Sequence, residues 1–129
     1  MAAAPGQITV LVVEDDAFLQ RAYQAKFKKE GFTVFPAIDG DQGLKLAREQ
    51  KPSVVLLDLM LPKMPGFDML KALKEDKATA DIPVIILSNL GQESDRKRGV
   101  ELGAVEYIVK ANTSLDEIVK KVRSYAAGK

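Results

Sequence analysis

The stretch Val54-Val55-Leu56-Leu57-Asp58-Leu59-Met60-Leu61-Pro62-Lys63-Met64-Pro65-Gly66 decides the fold. Four consecutive apolar residues without polar alternation describe a strand covered on both faces, as in a parallel sheet. Asp58 follows at once, so a carboxylate is lifted out of a buried strand and displayed at its C-terminal end. That end is where open α/β sheets place their chemistry. The prolines and Gly66 then break the chain into an exposed loop before the next helical pattern.

The same pattern recurs on either side. Apolar runs predict strands at Ile8–Val13, Thr33–Pro36, Val84–Leu87 and Tyr107–Val109, besides Val54–Leu57. Helical patterns fill the intervals, at roughly Ala17–Glu30, Asp41–Gln50, Phe67–Asp76, Ser94–Leu102 and Ser114–Ala126. In the first helix Phe18, Ala22, Ala25 and Phe27 are expected to form the apolar face, with Gly31 as the stop. The last opens on Ser114-Leu115-Asp116-Glu117, a capping box, and carries a stripe of Leu115, Ile118, Val119 and Val122. Gly103-Ala104 reads as a tight stop, and Gly91 and Gly99, around the fourth helix, as loop-forming residues in the first place and as residues that loosen the helix in the second. Strict βα alternation means parallel strands joined by right-handed crossovers.

At 129 residues the chain is one domain with room for a proper core. It is 47% hydrophobic and 29% charged, within the range of globular proteins. A net charge of +1 points to neither nucleic acid nor membrane as a direct partner. Cys is absent, which excludes a disulfide framework and fits a cytoplasmic setting. His is absent, which removes Ser-His triads and most zinc sites. No apolar run approaches the ~18–20 residues that span a bilayer. Residues 1–6 read as a frayed end or a cloning remnant, and the chain ends just after the fifth helix, so no effector domain is expected within it.

Four strand ends carry chemistry: Glu14-Asp15-Asp16 after the first, Asp58 after the third, Ser88 after the fourth and Lys110 after the fifth. Each has an ordinary structural account when taken alone. An acidic residue caps a helix N-terminus, Ser forms turns, and a strand-end Lys is solvated. Asp16 fits the cap account best. Together the others make a phosphoryl-transfer constellation of carboxylates, a hydroxyl and an ammonium. Crowded carboxylates repel one another, and a hard divalent cation with oxygen ligands relieves that repulsion.

The chain resembles the receiver domains of two-component response regulators, from about Ile8 to Ala126. The matching pieces are Val12-Val13-Glu14-Asp15, Leu57-Asp58-Leu59-Met60-Leu61-Pro62 with Pro65-Gly66, Leu87-Ser88, Gly103-Ala104 and Tyr107-Ile108-Val109-Lys110. The resemblance implies a flavodoxin-like, doubly wound five-stranded parallel sheet in the order 2-1-3-4-5. It implies that Asp58 accepts a phosphoryl group from a phosphohistidine of a sensor histidine kinase or phosphotransfer protein. Asp15, Asp58 and the Met60 carbonyl would hold Mg²⁺, with Glu14 acting through water and Mn²⁺ as a substitute. Ser88 and Lys110 would meet phosphoryl oxygens, and Ser88 and Tyr107 would form the switch. The response would pass to the face made by the fourth helix, last strand and fifth helix, where an effector binds or a phosphorylation-dependent dimer forms. Catalysis would be limited to the domain's own phosphorylation and dephosphorylation.

Three positions depart from the usual family pattern. Ala111 follows Lys110 where Pro is usual, Asn89 follows Ser88 where a small residue is common, and Met60 is apolar. A trans Lys110–Ala111 bond is therefore expected, since a cis bond before Ala costs about 2.5–4 kcal/mol. Rival readings are weaker. A haloacid-dehalogenase-like phosphatase needs an Asp two residues after the nucleophile, where Met60 stands. A dinucleotide module needs a Gly-rich turn after the first strand, where Glu14-Asp15-Asp16 stands. A silent receiver-like interaction module would be expected to lack one of the chemical groups.

Overall fold

The computed structural model describes residues 7–89 and 92–127. The reading of residues 1–6 as a frayed end, and that of Gly91 beside the fourth helix, lie outside the described residues. Five strands, β1 (Thr9–Val13), β2 (Thr33–Ala37), β3 (Val54–Leu57), β4 (Val84–Ser88) and β5 (Glu106–Val109), alternate with α1 (Ala17–Lys29), α2 (Gly40–Gln50), α3 (Gly66–Glu75), α4 (Glu93–Glu101) and α5 (Leu115–Ala127). The sheet is parallel throughout and ordered β2-β1-β3-β4-β5. The direction of winding changes beside β1, so β1 and β3 lie adjacent in register Val13↔Leu57, and their C-terminal ends open onto one crevice.

Each face of the sheet has its own core. Leu11, Val13, Val55, Leu57, Val84 and Ile86 pack under α2 and α3 with Met69, Leu70 and Leu73. Val10, Val12, Val54, Leu56, Ile85 and Leu87 pack under α1 and α5 with Tyr23, Phe27, Ile118, Val119 and Val122. Every residue of β3 and β4 is buried, which is why those runs show no alternation in the sequence.

The local signals govern the helix ends. Asp16 Oδ1 accepts from the Leu19 N–H at 3.0 Å and caps α1. Gly31, at φ +91°, ends α1 while Phe32 N–H returns to Phe27 O. Gly103, at φ +109°, ends α4 in the same way, with Ala104 N–H on Gly99 O. Ser114 and Glu117 form the predicted capping box.

The apolar face expected for α1 is corrected. Phe18 is 73% exposed and Ala25 is also exposed, while the inward stripe is Gln20, Tyr23 and Phe27. Spacing at i, i+3 and i+7 turns that stripe to the sheet; of the expected face only Phe27 belongs to it, while Phe18, Ala22 and Ala25 lie on nearly the opposite side of the helix. Leu115 likewise lies at the rim of α5, outside its buried stripe of Ile118, Val119 and Val122. Gly99 is corrected from a loop-forming residue, for it lies inside α4. A Cβ there would stand 2.6 Å from Ile86 Cδ1, so the glycine lets the helix backbone approach β4 closely. It is the one residue of α4 that is buried. Two guanidinium groups add to this contact. Arg96 lies 5.4 Å from the Tyr107 ring centre and donates to Tyr107 O at 3.2 Å, and Arg98 lies 4.4 Å from the Phe67 ring centre.

Candidate functional site

The crevice at the ends of β1 and β3 gathers the acidic groups. Asp58 N–H bonds Val13 O at 3.1 Å and Glu14 N–H bonds Ala37 O at 2.9 Å, so both residues leave the sheet from fixed backbone positions. Glu14, Asp15 and Asp58 each offer a carboxylate oxygen, and these oxygens lie within 4.8 Å of one another. Glu14 and Asp58 are buried and Asp15 faces solvent. Three acceptor groups at that spacing, without a donor for each, fit the oxygen-rich, partly hydrated shell that Mg²⁺ requires.

Asp58 is 6% exposed, yet its carboxylate is held in a defined pose. Its Oδ1 accepts from the Met60 N–H at 3.1 Å, and its Oδ2 lies 3.4 Å from Lys110 Nζ. The loop after it closes tightly. Gly66 N–H returns to Leu59 O at 3.1 Å, and a Cβ on Gly66 would meet Leu59 Cα at 2.5 Å and Asp58 O at 2.7 Å. Only glycine fits where α3 begins against the backbone of the acceptor. Met60 itself turns outward and is 63% exposed.

Lys110 begins a short 3₁₀ turn, Lys110–Asn112, immediately after β5. No peptide bond among the described residues is cis, so Lys110–Ala111 is trans. The side chain still reaches the crevice, donating to Glu14 Oε1 at 2.6 Å. Burial alone favours its neutral amine. The bond to Glu14 and the charges of Asp58 and Glu14 outweigh burial and carry its pKa above the ordinary lysine value. Burial pushes the Glu14 carboxyl up and Asp58 adds to this, against the pull of Lys110 and of the Asp16 N–H.

Ser88 closes β4 and is fully buried. Tyr107, in register with Ile86 on the neighbouring strand, is buried too and shares a side-chain hydrogen bond with Ser88. The ring is already turned inward, with Arg96 over it. Burial raises the phenol's pKa, and the Ser88 bond opposes that rise.

Two residues of α1 complete the surroundings, and the sequence reading assigned them no part in the site. Tyr23 walls the space behind Glu14 and Asp58. Gln20 grips the backbone beneath the acidic pair. Their signal was the inward spacing shared with Phe27. Above the site a cleft of about 550 Å³ runs between α1 and α5, lined by Phe18, Leu19, Tyr23, Asn89, Lys110 and Leu115 among others.

Residues 10–123 match the family described as the response regulator receiver domain. The chain belongs to that family. The receiver domain is 36% identical over 115 residues to the DNA-binding dual master transcriptional regulator RpaA of Synechocystis, covering 89% of this chain and 47% of that protein. It is 38% identical over 115 residues to the phosphate regulon transcriptional regulatory protein PhoB of Escherichia coli, covering 89% of this chain and 50% of PhoB. The chain thus spans about half the length of these curated relatives. Among solved structures, the receiver domain of Francisella response regulator 1452 superposes with a TM-score of 0.87 at 30% identity, over 94% of this chain and 98% of that one. The BeF3-activated receiver domain of Klebsiella pneumoniae RstA gives 0.84 at 26% identity, over 92% and 97%. No helix among the described residues is long and apolar enough to cross a membrane.

Proposed function

We propose that this receiver domain is a phosphoacceptor switch in which Asp58 takes a phosphoryl group from a phosphohistidine. The observation that carries the reading is the position of Asp58, nearly buried yet flanked by Lys110 on one side and by Glu14 and Asp15 on the other. An Asp58 oxygen attacks phosphorus, the P–N bond breaks, and its electron pair leaves with the donor's imidazole nitrogen. Mg²⁺, held by Asp15, Asp58 and the Met60 carbonyl with Glu14 through water, would neutralise charge on the transferring group, and Mn²⁺ would serve in its place. Lys110, and Ser88 once it has moved, would meet the remaining phosphoryl oxygens. Ser88, moving toward the phosphate, carries its partner Tyr107 and shifts the face of α4, β5 and α5.

The exposed apolar side chains Phe18, Ile38, Met60 and Leu115 surround this end of the sheet, and two of them line the cleft above Lys110. They suit a donor domain of a sensor histidine kinase or a phosphotransfer protein, which would place the chain in the cytoplasm. The output is a protein effector or a phosphorylation-dependent dimer. With a net charge of +1, the domain is not expected to bind DNA itself. It catalyses only its own phosphorylation and dephosphorylation. The test is labelling by acetyl phosphate or a kinase, with and without EDTA, in the parent and in Asp58→Asn. Labelling confined to the parent with metal supports the reading. Labelled Asp58→Asn, or full labelling in EDTA, overturns it.

A further inference from the structure

Gln20 is a polar residue on the inward stripe of α1, 5% exposed, and its amide nitrogen meets three backbone carbonyls. The distances are 3.1 Å to Val12 O, 3.1 Å to Glu14 O and 3.0 Å to Ala37 O. Three acceptors around one terminus fix the orientation of the amide, because its oxygen would be repelled there. The nitrogen has two hydrogens for three carbonyls, so at least one hydrogen is shared between acceptors.

These carbonyls are not a random set. Val12 O lies within β1, Glu14 O belongs to the first peptide beyond that strand, and Ala37 O ends β2 while also accepting the Glu14 N–H. The main chain of Glu14 is therefore bound on both sides, the preceding peptide through the Glu14 N–H by β2 and the following one through the Glu14 carbonyl by Gln20. That carbonyl is joined directly to Asp15. A change in the ψ angle of Glu14 would turn that carbonyl and swing Asp15 relative to Glu14, and the bond from Gln20 opposes it.

We infer that Gln20 is a positioning residue for the cation site, holding the Glu14–Asp15 peptide so that the two carboxylates converge with Asp58. The inference rests on the metal-binding reading of the site. Gln20 is not itself a ligand, since its amide nitrogen faces the carbonyls and its oxygen, the only atom that could bind a cation, lies at the other side, 3.5 Å from Gln24 Nε2. Groups that orient ligands in this way typically change metal affinity by roughly 10–100-fold when removed.

The experiment is calorimetric titration with Mg²⁺ alone, followed by acetyl phosphate labelling across a Mg²⁺ series. Three variants are compared with the parent. Gln20→Met keeps the length and loses the donor. Gln20→Asn keeps the amide one methylene short and carries the test if the first variant fails to fold. Val122→Ala loosens, from α5, the core cluster on the face of the sheet that α1 covers. The expected result is Mg²⁺ affinity about tenfold weaker in Gln20→Met and at least threefold weaker in Gln20→Asn. Val122→Ala should stay within about twofold of the parent, and labelling of both Gln20 variants should approach the parental rate at saturating metal. Parental affinity in the Gln20 variants overturns the inference, and so does an equal loss in Val122→Ala. A parent that binds no Mg²⁺ overturns the reading of the site instead, and the two failures are thereby told apart.

Discussion

Lys110 donates to Glu14 at 2.6 Å, while its distance to Asp58 is 3.4 Å. The ammonium is thus engaged chiefly with Glu14, as a positive charge already resident among the carboxylates. Removing it leaves three acidic groups less compensated. Lys110→Met is predicted to bind Mg²⁺ several-fold more tightly than the parent, by Coulomb attraction at partly screened range. The same variant should be labelled more slowly by acetyl phosphate, because a charge that meets the phosphoryl oxygens is gone. Titration and labelling rate, measured on one preparation, should move in opposite directions.

Asp15 is the solvent-facing member of the acidic group and its role is separable from capping, which Asp16 performs. Asp15→Ala is predicted to weaken divalent-cation binding by at least ~1 kcal/mol while leaving helix content unchanged. Mn²⁺ or Mg²⁺ titration with circular dichroism on the same samples checks both parts. Equal affinity in the two proteins would assign Asp15 no part in the site.

Loss of the phosphoryl group should be slow. Met60 turns outward two residues beyond the acceptor and offers no group to orient an attacking water. Met60→Asn is predicted to shorten the half-life of the phosphorylated form, followed as loss of label after removal of donor. Leu90, which family resemblance places at the same mouth, lies outside the described residues. Pairing Met60→Asn with Leu90→Glu should accelerate the loss further, and a slower loss in either would count against an apolar rim.

The bond shared by Ser88 and Tyr107 makes a spectroscopic prediction. Adding a beryllofluoride mimic with Mg²⁺ should move the NMR resonances of Ser88, Tyr107 and Arg96 together, since Arg96 covers the ring and donates to Tyr107 O. Tyr107→Phe should reduce the response at Arg96 while sparing that at Asp58. Shifts confined to the neighbours of Asp58 would refute the coupling.

β1, β3 and β4 were legible because burial on both faces leaves uninterrupted apolar runs, and β3 was read at its true limits. The other strands and helices were placed to within a residue at each end, helped by Asp16, Gly31 and Ser114. The site residues were legible one strand end at a time. Their pairing was not, because Lys110 and Glu14 are 96 positions apart and only the strand order brings them together. The face of α1 was misphased because Phe18 looks like a core residue, whereas a glutamine does not. Gln20 earns its inward place only through carbonyls of β1 and β2. Nothing local announced the left-handed Lys63, at φ 68°, in the loop after Asp58, where its ammonium lies 3.6 Å from Asp39.

The way α4 is seated has a thermal consequence. Its interface is a buried glycine and two arginines lying over aromatic rings, with Val100 turned outward. Heat-capacity change tracks apolar surface exposed to water, and α4 brings little of its own to this interface, so a slide that keeps Ile86 and Tyr107 covered exposes little of it. An equilibrium between two positions of α4 therefore varies only gently with temperature. Unfolding of the two apolar cores beneath it follows a strongly curved stability profile. A response built on α4 would hold its set point across temperatures that alter the stability of the whole domain.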